Sequence, residues 1–322
     1  MEGATPYTSL EPGQWPAEWR APLPGPWAAA GGRVFHAAHV RAGAPPGLST
    51  SRRGALAAFP ACLVARAVLP GTGSGTEVLG EGPLDLQGLA RAVVVLTHGG
   101  PRMADIQRDR PVGPAEVADP LTGRTPRALA PEEWTALHRA WVDEGGRALA
   151  AGAWGVGVEA ARGQLWHAAL SPLTGGGAPG LARLCALVTD LRALSDRVLV
   201  SLCVEDVAVG GLHAGAGVEH ARALVAAGAT ALVVRTGSAW NAARLVPPPP
   251  RFPHEEGPAL HAAAWTRHAL ASAAGAPPGR ARLLPSPWER VPVLVAGALQ
   301  SVETISAALA RACDGVCVES WE

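Results

Sequence analysis

Short apolar runs alternate with helix-period segments along most of the chain. The run at 92–97 (AVVVLT) is unbroken and β-branched, as expected of a strand covered on both faces. Comparable runs stand at 33–38 (RVFHAA), 62–68, 154–158, 198–203 (VLVSLC), 231–235 (ALVVR), 292–296 (PVLVA) and 315–318 (GVCV). Between them lie helical segments. The one at 131–150 sets Trp134, Leu137, Trp141 and Leu149 at helix-like spacing. Pro131 suits its first turn, and Glu132 and Glu133 complement the helix dipole there. Gly152 suits its end. Further helices are expected near 51–59, 84–91, 179–194, 218–227, 259–274 and 301–311. This alternation predicts an α/β fold, a single (β/α)8 TIM barrel rather than an open sheet.

Residues 1–32 break the pattern. They are rich in Pro, Gly and Trp without a period, and read as an irregular arm ahead of a barrel at 33–322. The last strand ends a few residues before Glu322, so no eighth helix is expected. The outer side of strands one and eight then needs another cover. The arm, with Trp15, Trp19 and Trp27, is one candidate; a protein partner or a second copy of the chain is the other.

Composition narrows the partners. The 322 residues are 48% apolar and 17% charged, with a net charge of +0. That balance offers no electrostatic reason to expect nucleic acid or a membrane surface. The five cysteines are odd in number and form no C-x-x-C pair, which favours reduced thiols and a cytoplasmic location. The first residues lack the pattern of a signal peptide, and no apolar run is long enough to span a bilayer.

The chemistry gathers in 151–172, AGAWGVGVEAARGQLWHAALSP. A strand here opens onto Glu159, Arg162, Gln164, Trp166 and His167, and residues past a strand's end line the active site of such barrels. The segment resembles the signature of the old yellow enzyme family, the FMN-dependent ene-reductases. Gly152, Gly155, Val156, Gly163, Leu165 and the Leu170-Ser171-Pro172 triplet agree with it. THGGPR at 97–102, VSLC at 200–203 and VPVLVAGALQSVETISAALARACDGVCV at 291–318 extend the likeness across the barrel. The resemblance implies a TIM barrel, but its functional positions are replaced. The substrate-anchoring histidine falls on Glu159, its His or Asn partner on Arg162, and the proton-donating tyrosine on Gln164.

The implied FMN contacts have changed as well. The Pro-Met after strand one becomes Ala38-His39, and the strand-three Gln becomes Val95, with His98 three residues on. The strand-five Arg becomes Ser201, and the phosphate-gripping Gly-Arg becomes Glu319-Ser320; Gly297 is kept. A carboxylate repels a phosphate that needs N–H groups and a cation. The resulting expectation is that no cofactor is used and that the chain is a non-catalytic structural or binding subunit. FMN would then bind no tighter than about 100 µM.

Two alternatives stay open: an FMN-dependent NAD(P)H oxidoreductase with unusual contacts, or a flavin-free enzyme using rim residues. The rim set is His36, His39, His98, Arg102, Arg235 and His167 with those already named. His36, His39, His98 and Glu159 make only a weak metal motif, because residues three apart on a strand face opposite sides, and no metal is expected. Arg162 is expected to pair with Glu159, or with Glu319 as the alternative, and the pair to fill the flavin's space. Trp154, Trp166 and Trp240 read as packing, and Gly175–Gly177 as a loop.

Overall fold

The computed structural model describes residues 14–39, 61–68, 84, 86–89, 91–103, 110–238, 257–273, 291–296, 299 and 301–321. The strands are β1 (Val34–His39), β2 (Ala61–Ala67), β3 (Ala92–Thr97), β4 (Val112–Gly113), β5 (Arg127–Ala128), β6 (Gly155–Ala160), β7 (Val198–Glu205), β8 (Ala231–Thr236), β9 (Val293–Ala296) and β10 (Gly315–Trp321). The helices are α1 (Ala17–Arg20), α2 (Pro131–Ala150), α3 (Leu165–Leu170), α4 (Ala178–Leu194), α5 (Ala214–Ala226), α6 (Gly257–Ala273) and α7 (Val302–Arg311). Eight parallel strands close in the order β1-β10-β9-β8-β7-β6-β3-β2. This is the expected (β/α)8 barrel. β4 and β5 form a separate two-stranded ladder in the loop after β3.

Alternation along each strand divides the core in two. Phe35, Leu63, Val93, Leu199, Val233 and Leu294 point into the barrel. Val34, Val94, Val158, Val200, Val234 and Val316 point out, against the helices. The arm joins both layers. Leu23 and Trp27 enter the interior cluster. Trp27 packs edge-on to Phe35 and Trp154, and its indole N–H donates to Thr230 Oγ1 at 3.1 Å, just ahead of β8. The amino end of the barrel is thereby plugged. Trp19 is fully buried and donates to Ser306 Oγ at 3.0 Å, which seats α1 beside α7.

Local differences from the pattern have physical causes. The helix expected at 84–91 is a single turn, Leu89 N–H to Leu86 C=O, where Gly88 takes φ +81°. β6 runs two residues past 158, so Glu159 lies within the strand. α3 is too short for periodicity to reveal. The helix expected at 51–59, the Pro-rich insert at 245–258 and Trp240 lie outside the described residues, save the first residues of α6.

Candidate functional site

At the carboxyl mouth, β6, β7 and β8 bring three polar side chains inward. Glu159 pairs in register with Ser201, and Arg235 with Cys203. The Ser201 hydroxyl donates to Glu159 Oε1 at 2.8 Å. Arg235 Nε donates to Ser201 Oγ at 2.9 Å. The result is a line from carboxylate through hydroxyl to guanidinium across three strands. Glu159 is only 7% exposed and Ser201 is buried. Val95 lines the interior beside them. The Thr97 hydroxyl is spent on the Arg66 carbonyl, at 3.2 Å.

Several expected site residues stand elsewhere. Glu159 turns to Ser201 rather than to Arg162, so of the two expected partners of Arg162 it is not the one; the alternative, Glu319, has its side chain outside the described residues. Thr97 takes the inward place at the end of β3, which sends His98 outward to stack on Trp141, with ring centroids 5.8 Å apart. Burial pushes its pKa down to about 4. His98 therefore belongs to the packing beneath α2, not to the mouth. His36 shares the outward parity of Val34. His36, His98 and Glu159 are thus kept apart rather than gathered on a metal. Gly297 and the side chains of Ala38, His39, Glu319 and Ser320 lie outside the described residues.

Behind the rim a second network holds the turn that carries Arg162 and Gln164. Arg162 and Gly163 both take positive φ, +59° and +72°. Arg102 clamps this turn: its Nη1 donates to the Arg162 carbonyl and its Nε to Asp119 Oδ2 at 3.2 Å. The Gly163 N–H donates to His167 Nδ1 at 2.7 Å. His167 Nε2 meets Asp206 Oδ1 at 2.8 Å, and Asp206 Oδ2 accepts from Ser171 at 2.6 Å and from Leu212 N–H at 2.7 Å. Burial opposes ionisation of Asp206, but these donors, His167 first, outweigh it and hold its carboxyl below the ordinary range. A cavity of about 20 Å³, room for one water, adjoins His167, Ser171, Asp206 and Ser238. Position 167 was named from the sequence as a rim residue, and its partner Asp206 falls on the aspartate of the family segment that VSLC at 200–203 resembles.

His167, Cys203 and Asp206 bring donor atoms within 4.8 Å of one another, a metal-like gathering. The proton positions decide against that use. Burial disfavours a second proton on His167, while Cys203 and Asp206 favour it. Those two partners raise its pKa on balance, yet the Gly163 N–H aimed at Nδ1 makes that nitrogen an acceptor and leaves Nε2 to carry the proton facing Asp206. A metal at Nε2 needs that proton moved to Nδ1, where a backbone donor already sits.

Fold and mouth together define a class: a (β/α)8 barrel with ionic groups set at the carboxyl ends of its strands, where such barrels keep their active sites. Among solved structures this chain resembles reductases. The old yellow enzyme homologue from Zymomonas mobilis aligns at TM-score 0.66 and 17% identity, over 94% of this chain and 88% of that one. Morphinone reductase in complex with tetrahydroNAD aligns at TM-score 0.63 and 16% identity, over 90% and 83%. 2-Naphthoyl-CoA reductase, in complex with 2-naphthoyl-CoA, aligns at TM-score 0.66 and 19% identity over 89% of this chain. The chain spans about half of that enzyme's length, 48%. No protein-family model and no curated protein matches the chain.

At these identities the likeness establishes the old yellow enzyme-like fold. It also corrects the expectation that no cofactor is used. Two of these neighbours are named as reductases, one of them in complex with tetrahydroNAD, and the third as an old yellow enzyme homologue; the family that the sequence resembles is FMN-dependent. Nothing in the comparisons favours a loss of catalysis. Among the described residues no helix is long and apolar enough to cross a membrane.

Proposed function

We propose that the chain is an FMN-dependent oxidoreductase of the old yellow enzyme type, fed by a reduced nicotinamide and with altered contacts at the barrel mouth. The observation that carries the reading is the Glu159–Ser201–Arg235 line at the ends of adjacent strands. FMN, when bound, supplies two-electron hydride chemistry. The residues present fit such a group at one edge. The resemblance places an arginine at position 201 on β7. Here Ser201 stands there, and Arg235 reaches the same spot from β8. Arg235 would then supply the cation for the negative charge that grows on a reduced flavin, already fixed before that charge develops. Ser201 holds it in place. Val95 offers no hydrogen bond on the β3 side, so more of the binding falls on Arg235.

Titration of the purified chain with FMN, followed by quenching of flavin fluorescence, tests this. Micromolar or tighter binding is expected, with Arg235→Ala weakening it at least tenfold, about 1.4 kcal/mol. No binding by the wild-type chain, or equal binding by the variant, contradicts the proposal.

A further inference from the structure

Among the described residues Glu159 receives no direct ion pair, and Arg235 faces it across Ser201. Its carboxylate is 7% exposed, and Ser201 Oγ is its one hydrogen-bond donor among the described residues. Arg235 bonds the far side of that hydroxyl, so its charge reaches the carboxylate across one intervening group. A buried carboxylate with a single neutral donor is costly, and a cation brought by a ligand relieves that cost. Glu159 also points into the mouth, where ligands of such barrels bind. We infer that Glu159 anchors a cationic nitrogen, so the mouth takes protonated amines or iminium ions rather than neutral carbonyl compounds.

A second residue fits the same class. Gln164, on which the resemblance sets the proton donor, is buried on the clamped turn, and its amide yields no proton. Reduction of a C=C bond needs a hydride and a proton. Reduction of an iminium does not. A hydride from reduced flavin, two electrons and one hydrogen, adds to the carbon of C=N⁺, and the π pair becomes the nitrogen lone pair of a neutral amine. This step rests on the flavin reading above; the cation subsite rests on Glu159 alone.

The test is calorimetric titration of the purified full chain with cyclohexylammonium and, separately, with neutral cyclohexanone, while the flavin content of the sample is read by absorbance. Cyclohexylammonium is expected to bind at least tenfold more tightly than the ketone, about 1.4 kcal/mol. Glu159→Gln should erase that preference and leave ketone binding unchanged. Ser201→Ala removes the carboxylate's one donor and keeps its charge, so ammonium binding should hold or tighten. Ketone binding equal to ammonium binding, or an ammonium affinity that Glu159→Gln leaves untouched, overturns the inference. So does equal weakening by both variants. A colourless sample that still binds ammonium through Glu159 removes the flavin reading and keeps the subsite.

Discussion

His98 is buried against Trp141, and its Nδ1 accepts the Gly100 N–H at 3.0 Å. The folded chain therefore resists a second ring proton, and burial pushes the pKa down to about 4. The unfolded chain takes up that proton near pH 6.5. Between these values the unfolded state binds more protons, so stability falls as pH falls. The contribution is constant above about pH 6.5 and declines by about 3 kcal/mol on the way to pH 4. Urea unfolding of the wild type and His98→Gln across that window checks it. The variant should show a shallower slope; parallel curves would mean that other groups carry the acid sensitivity. Alternation alone could have placed His98, since Thr97 takes the inward position. Glu159, Ser201 and Arg235 were each legible as rim positions, but not their connection. They lie on three strands, and only closure of the barrel puts them in line.

Elements around the mouth depend on one another. α3 is six residues long, too short to stand on its own hydrogen bonds. His167 and Ser171, within and just after it, are tied to Asp206 beyond β7. Replacing Asp206 by Asn puts an NH2 group either where His167 Nε2–H needs an acceptor or where the Leu212 N–H does. Either result leaves a buried group unsatisfied. Asp206→Asn should lose about 2–3 kcal/mol, and Ser171→Ala about 1 kcal/mol. Denaturant unfolding at pH 7 gives both values, and a loss below about 0.5 kcal/mol for Asp206→Asn would show the network to be slack. A different bond ties α2 to the outer face of β2. Arg66 Nε meets Glu144 Oε1 at 2.9 Å, and the carboxylate is 1% exposed. Glu144→Ala takes a buried carboxylate partner from the guanidinium and should cost about 3–5 kcal/mol.

Across the whole molecule, the eight strands were readable because a strand covered on both faces is a near-continuous apolar run. The long helix α2 was readable from its period. The arm was less so, because its tryptophans follow no period and their places depend on the finished barrel. Trp27 seals the amino end from inside, and Arg197 stacks on Trp154 while donating to the Pro26 carbonyl at 2.9 Å. Trp27→Ala should therefore destabilise the fold by about 3–5 kcal/mol, as loss of a buried indole does. A thermal melt unchanged by the substitution would show that the plug adds little.

The central claim is that this barrel still works through a flavin, although the positions the resemblance assigns to flavin contacts have changed. The most direct measurement is the absorbance spectrum of freshly purified protein, with bound flavin quantified after acid release. The account predicts the near-ultraviolet and blue bands of oxidised FMN, at a content approaching one per chain or restored to it by added FMN. A colourless protein that takes up no FMN from solution contradicts it.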